Sequence, residues 1–136
     1  DTLRVVGKRV RTDDLRQFDA RRRRGVGTFF EAESIKRLQI TETTRLFGRI
    51  PGVQPIETRD GMALRIRGET CAKPHVYIDG ALFPIVFSVR ELDAIVHPEE
   101  IRGFEFYTAG TAPMEFSPGM SCGSVVIWTS HGRRGR

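Results

Sequence analysis

Residues 121–130 read SCGSVVIWTS, and the fold turns on how that run is taken. Val125, Val126, Ile127 and Trp128 are consecutive, without the alternation that a strand with one wet face shows. An unbroken β-branched and aromatic run suits a strand covered on both faces, so these residues predict a central strand. Working back along the chain, IRGFEFYT (101–108) is a second strand with Phe104 and Phe106 on one face. HVYIDGALF (75–83) is a strand with Asp79-Gly80 as a turn, and VQPIETRDGMALRIRG (53–68) is a hairpin around Asp60-Gly61. Three short helices are predicted. In TFFEAESIKRL (28–38), Thr28 and Glu31 have capping-box spacing. In TETTRLFGRIPGV (41–53), Thr41 or Thr43 is the N-cap, Leu46, Phe47 and Ile50 form the apolar stripe, and Pro51-Gly52 is the stop. In SVRELDAIV (88–96), Ser88 and Glu91 are a second capping pair, with Leu92 and Ile95 facing inward. The expected class is α+β: a small mixed β-sheet with short helices packed on it.

The chain has 136 residues, enough for one core. No run approaches the ~18 apolar residues of a membrane-spanning helix. No signal peptide is visible, and the chain opens on Asp1, so it is read as a mature or partial chain. The net charge of +5 sits at the ends. Residues 1–24 hold nine basic and four acidic side chains, and Arg133, Arg134 and Arg136 add three more positive charges. Residues 25–132 hold ten basic and thirteen acidic ones. A nucleic-acid-binding domain carries its positive charge on the body, and no aromatics interleave with the arginines for base stacking. Nucleic acid is therefore not expected as a partner. The expected organisation is a basic N-terminal arm or linker (1–27) with a short strand-like run at 3–6, a domain (28–130), and a basic tail (131–136), with the Gly25–Gly27 hinge as boundary.

The chemistry inventory is thin. Neither a phosphate-cradling P-loop nor a dinucleotide-binding glycine pattern is present. His75, His97 and His131 lie far apart and at no zinc spacing from the cysteines. No metal or other cofactor is expected. Asp79 could act as a general base but is better read as a turn residue. Neither Cys71 nor Cys122 sits in a nucleophile motif, although a cysteine–histidine pair stays open on sequence alone. The chain is read as no enzyme. The alternative is a small hydrolase using Cys122 or Asp79.

LFGRIPGV, IRG, VYIDG, EEIRGFEFYTAG and CGSVVIWT occur in a fixed order across residues 28–130. This order resembles the plug domain of TonB-dependent outer-membrane receptors. Pro51, Gly52 and Val53 match the family's helix stop. Ile66, Arg67 and Gly68 match its "IRG" strand end, Asp79 and Gly80 its "DG" turn, and residues 101–107 its penultimate strand. Gly123 opens a segment like its closing strand. The family's "RGP" is here TAGTAP, its "YG" is nearer EFSPG, and Cys122 replaces the first glycine of its final pair. The chain is too short to hold a receptor barrel as well, since each barrel strand takes about 9–11 residues. It therefore reads as a plug without its barrel, similar to barrel-less plug-like proteins, some of which follow a carboxypeptidase-regulatory-like domain. The opening DTLRVV resembles a TonB box, which works by strand addition. A linker or edge strand is the other reading of it.

The resemblance implies a periplasmic module, peripheral to a membrane. The first reading is a binding and scaffold module that docks onto a larger envelope or membrane assembly and stabilises it. The alternative is the plug fragment of a TonB-dependent receptor engaged in substrate uptake. Partner contacts are expected from the loop 107–121, through Tyr107, Met114 and Phe116. They are also expected from the arginine-rich ends, through Arg21, Arg22, Arg23, Arg24, Arg133 and Arg134, which also suit anionic lipid. No small-molecule substrate is expected. In such a fold, and in an oxidising compartment, Cys71 and Cys122 would form a disulfide at the margin of one sheet.

Overall fold

The computed structural model describes residues 2–117 and 119–130, with side chains from residue 13 onward. Strands β1 (Thr28–Glu31), β5 (His75–Ile78), β6 (Ala81–Phe83), β7 (Ile101–Thr108) and β8 (Gly123–Thr129) form a five-stranded sheet in the order β1-β7-β8-β5-β6. Strands β2 (Val53–Thr58), β3 (Gly61–Ile66) and β4 (Glu69–Cys71) form a separate three-stranded antiparallel sheet. The fold is α+β, and the larger sheet is mixed: β8 runs parallel to β5 and antiparallel to β7.

β8 is the middle strand of the larger sheet, and all seven of its residues are buried. Its unbroken apolar run is explained by two cores. Val125 and Ile127 face the main core with Leu46, Phe47, Leu64, Val76, Leu92, Phe104 and Phe106. Val126 and Trp128 face a second core with Phe18, Tyr77, Tyr107 and Phe116. Each fully buried aliphatic or phenyl side chain contributes roughly 1.5–3 kcal/mol of apolar burial.

The arm is helical. Residues Thr2–Arg24 form a helix, α1, whose C-terminal part lies on the second core through Phe18 and Arg21. No strand-like run forms at 3–6, and no extended TonB-box-like segment is present there. Asp19, placed three and four residues before Arg22 and Arg23, pairs with both, and Asp13 pairs with Arg16; such pairs support an exposed helix. Arg21–Arg24 fill its last turn, where cations oppose the helix dipole.

The next element also differs from expectation. Thr28–Glu31 is strand β1, paired with β7 from Thr28↔Phe106 to Glu31↔Gly103. The helix α2 (Ala32–Leu38) starts only afterwards, and its N-cap, Glu31, makes no side-chain cap bond. β-propensity in Thr-Phe-Phe and an available sheet edge outweigh the capping-box spacing. The remaining two predicted helices are 3₁₀ segments. Thr43–Arg49 begins after Glu42, not Thr41 or Thr43, and the hydroxyls of Thr43 and Thr44 are tied to a distant segment. Thr43 Oγ1 donates to the Val96 carbonyl at 2.6 Å, and the Thr44 N–H and hydroxyl donate to Asp93 at 2.9 and 2.7 Å. Val89–Ala94 has the Ser88–Glu91 capping box that its sequence predicts. Val89 and Leu92, three residues apart, face inward together, whereas Ile95 is the C-cap residue beyond the helix and is exposed.

Two of the motifs are turns. Arg67 and Gly68 join β3 to β4, and Asp79 and Gly80 join β5 to β6. All four have positive φ, as a two-residue type I′ hairpin demands. The Arg67 N–H donates to the Gly52 carbonyl at 2.8 Å, so the Pro51-Gly52-Val53 stop and the 66–68 turn hold one another. A side chain on Gly123 would meet the Ile66 Cδ1 at 3.0 Å, so the two sheets approach closely there.

Candidate interaction site

The segment between β7 and β8 is clamped and yet presents large apolar side chains. Met114 is 91% exposed and Met120 98% exposed. Between them Phe116 turns inward, with its ring 5.2 Å from Tyr77 and 6.2 Å from Trp128, and its carbonyl accepts from Ser124 Oγ at 3.1 Å. Thr111 donates through its N–H and its hydroxyl to the Thr108 carbonyl at 3.1 and 2.9 Å. At the far end Ser121 Oγ donates to the Gly123 carbonyl and accepts from its N–H. Next to it, Cys122 is joined by a disulfide to Cys71, with Cα atoms 5.6 Å apart. Cys71 ends β4 and Cys122 precedes β8, so the bond links the two sheets; it does not lie at the margin of one.

Beneath this segment lies a buried charge. Glu105, in the middle of β7, is fully buried. Arg21 donates to it in bidentate fashion, Nε to Oε1 and Nη2 to Oε2, both at 2.8 Å. The Tyr107 hydroxyl donates to Oε1 at 2.5 Å and Trp128 Nε1 to Oε2 at 2.7 Å. Each carboxylate oxygen thus accepts two bonds, which fills its capacity. The Arg21 guanidinium also lies over the Phe116 ring at 5.2 Å and the Trp128 ring at 6.0 Å, a favourable cation–π placement. Burial works against the charge on Arg21, but the hydrogen bonds and charge of Glu105 more than offset this, so its pKa is raised. Burial, reinforced by Glu105, pushes Tyr107 far above the ordinary phenol value, so it stays a neutral donor.

Tyr77 and His75 lie on this same face of β5. The Tyr77 hydroxyl and His75 Nδ1 are buried without a hydrogen-bond partner, and burial raises the Tyr77 pKa.

A second apolar patch follows the β6 edge of the sheet, with Leu82 52%, Val86 53% and Phe87 69% exposed. It is rigidly backed, since the Glu91 carboxylate accepts from the Val86, Phe87 and Ser88 N–H groups at 3.0, 2.6 and 2.9 Å. Those three bonds lower the Glu91 pKa.

Of the expected partner contacts, Met114 faces outward, but Arg21, Tyr107 and Phe116 are buried against one another. Their side chains are spent on holding α1 and the loop to the sheet. Arg22 pairs with Asp19 and Glu31, Arg23 pairs with Asp19, and Arg24 is exposed. Arg133 and Arg134 lie outside the described residues. Asp79 serves as a turn residue: its carboxylate accepts from the Thr129 N–H at 2.8 Å and the Thr129 hydroxyl at 2.6 Å, which fixes the turn to the end of β8. Among the described residues no three His, Cys, Asp or Glu side chains converge as a metal site would require.

Sequence reasoning missed Glu105 as the organising residue. The signal was the acidic residue between Phe104 and Phe106 in a strand covered on both faces, since such a charge needs a partner. Nothing in the sequence singled out Arg21 among its neighbours.

No protein-family model matches the sequence, and no curated protein matches it. Solved structures do share the fold. The ferric enterobactin receptor PfeA, in complex with BCV-L6, superposes over 78% of this chain with a TM-score of 0.59 and 17% identity. The siderophore receptor PirA from Acinetobacter baumannii superposes over 76% with a TM-score of 0.60 and 21% identity. FpvA of P. aeruginosa, bound to heterologous pyoverdines, superposes over 78% with a TM-score of 0.54 and 10% identity. The chain spans 18%, 17% and 14% of the length of those three receptors. At these identities the likeness is one of fold.

Proposed function

We propose that this chain is a plug-like, non-enzymatic module that seats in or against a larger protein of the cell envelope, on the periplasmic side. One observation carries the reading. Three siderophore receptors contain this fold as a minor part of a much longer chain. The order of the Pro51-Gly52, Ile66–Gly68, Asp79-Gly80 and Gly123 motifs supports it from the sequence side, through the resemblance to TonB-dependent plugs. The surface supports it too, because clamped apolar side chains at Met114, Met120 and Phe87 are what a protein partner would cover. Whether the module works in siderophore uptake or as a barrel-less scaffold is decided by its partner. The receptors that share its fold favour uptake. The exposed cation Arg24 and the basic ends suit an anionic lipid surface as an additional contact.

Photo-crosslinking from positions 114, 120 and 87 in native envelopes, with a control at exposed Arg59, tests this. A crosslink to an envelope protein from the first three and not from the fourth is expected. If the four positions behave alike, or none links to protein, the reading falls. A crosslinked siderophore-receptor barrel would select uptake, and any other envelope protein would select the scaffold.

A further inference from the structure

We propose that the Cys71–Cys122 bond is a thiol-exchange site, at which a small thiol takes Cys122 as a mixed disulfide and frees Cys71. The two ends of the bond are unlike. Cys71 is 1% exposed and sits in the main core, whereas Cys122 is exposed. Thiol–disulfide exchange needs a thiolate to reach one sulfur, and access decides which sulfur is attacked. Here access favours Cys122.

The approach is open. A cavity of about 330 Å³ lies beside the bond, lined by Ile66, Arg67, Glu69, Thr70, Thr108 and Ala109 together with both cysteines. That volume is at the lower end of small-molecule sites, which suits a low-molecular-weight thiol. Arg67 is held in this wall by its own turn, with φ of 53° and its N–H on the Gly52 carbonyl. A cation beside a sulfur favours its thiolate form. Arg67 is the one cation among the residues lining the cavity, with Glu69 as the one anion, so it is the group available to favour charge on the departing Cys71 sulfur.

The step balances as follows. The thiolate RS⁻ attacks Cys122 Sγ, and the S–S bond breaks as the RS–S bond forms. The electron pair leaves on Cys71 Sγ, which then takes a proton from water. A second RSH resolves the mixed disulfide, giving RSSR and two protein thiols. The reductant is the small thiol itself. Because the bond is the covalent tie between β4 and the segment entering β8, exchange would untie the two sheets two residues after the exposed Met120.

The test incubates the native protein with reduced glutathione, quenches with acid, and maps adducts by mass spectrometry, with Trp128 fluorescence reporting the folded state. An adduct on Cys122 with a free Cys71 thiol, formed while fluorescence is unchanged, is expected. A parallel arm with reduced thioredoxin separates the sources. Faster loss of the bond with glutathione supports a small-thiol site, and faster loss with thioredoxin overturns that assignment. An adduct on Cys71, or reaction only at denaturant concentrations that unfold the chain, also overturns the proposal. Arg67→Asn keeps a residue that tolerates positive φ while removing the cation. It is expected to slow exchange several-fold with no change in folded-state fluorescence, and an unchanged rate would remove Arg67 from the site.

Discussion

Arg21 and Glu105 are 84 positions apart, and each is tolerable in the interior only because of the other. Removing one member of a buried pair leaves an uncompensated charge, which costs about 3–5 kcal/mol. Arg21→Met should therefore lower the unfolding free energy, read from urea titration, by about that amount, because the Glu105 carboxylate keeps only Tyr107 and Trp128 as donors. Adding Glu105→Gln to Arg21→Met should recover part of the loss, since the stranded charge is gone while an acceptor remains. A double variant no more stable than the single would contradict the pairing account. Glu91 makes a prediction of a different kind. Its folded pKa is lowered by the three backbone donors, below the ordinary Glu value of 4.5. Its contribution is therefore fully present above about pH 4.5 and is lost as the pH falls through the lowered value. Melting curves of wild type and Glu91→Gln should be separated at pH 7 and should converge at strongly acidic pH. A gap that persists unchanged there would mean that the carboxylate charge is not what secures residues 86–88.

At the scale of elements, α1 is the one whose attachment depends on few groups. Phe18 lies over Gly103, where any side chain would meet its ring at 3.0 Å, and edge-on to Phe29. Phe18→Ala should release α1 locally. Amide exchange in residues 13–24 should accelerate markedly, while β7 and β8 keep their protection. Uniform loss of protection would make the helix part of the cooperative core. This element also marks the limit of sequence reading. Strands with strong local signals were legible: the doubly covered β8, the Phe104/Phe106 face of β7, and the Asp79-Gly80 turn. The Ser88–Glu91 cap was legible for the same reason. Residues whose state is set by distant partners were not. Thr28–Glu31 carries a helix-start spacing and becomes a strand because β7 offers an edge. The arginine run looks like solvated linker until one arginine finds Glu105. The 53–68 hairpin was legible too, but β4 is three residues long and carries no pattern, so a separate third strand completing a second sheet was not.

At the scale of the molecule, two sheets meet along a seam that Gly123, Ile66 and the disulfide share. The bond closes a loop with a sequence separation of 51. The chain-entropy model assigns such a loop roughly 4 kcal/mol, less any native strain. The Cys71→Ser/Cys122→Ser variant should therefore unfold at lower denaturant by about that much. A variant as stable as wild type would show the noncovalent seam to be sufficient. The placement of β8 has its own consequence for how the molecule is made. The middle of the sheet is the last described strand to be synthesised, and its neighbours β5 and β7 are both complete before it. Until β8 emerges, β5 has no parallel partner and β7 has one open edge. Both would then offer unpaired backbone to any passing strand. Closure also joins segments some fifty residues apart, so it is slow by its topology. A nascent chain stalled before residue 123 should bind holding chaperones, and release should coincide with the appearance of Gly123–Thr129.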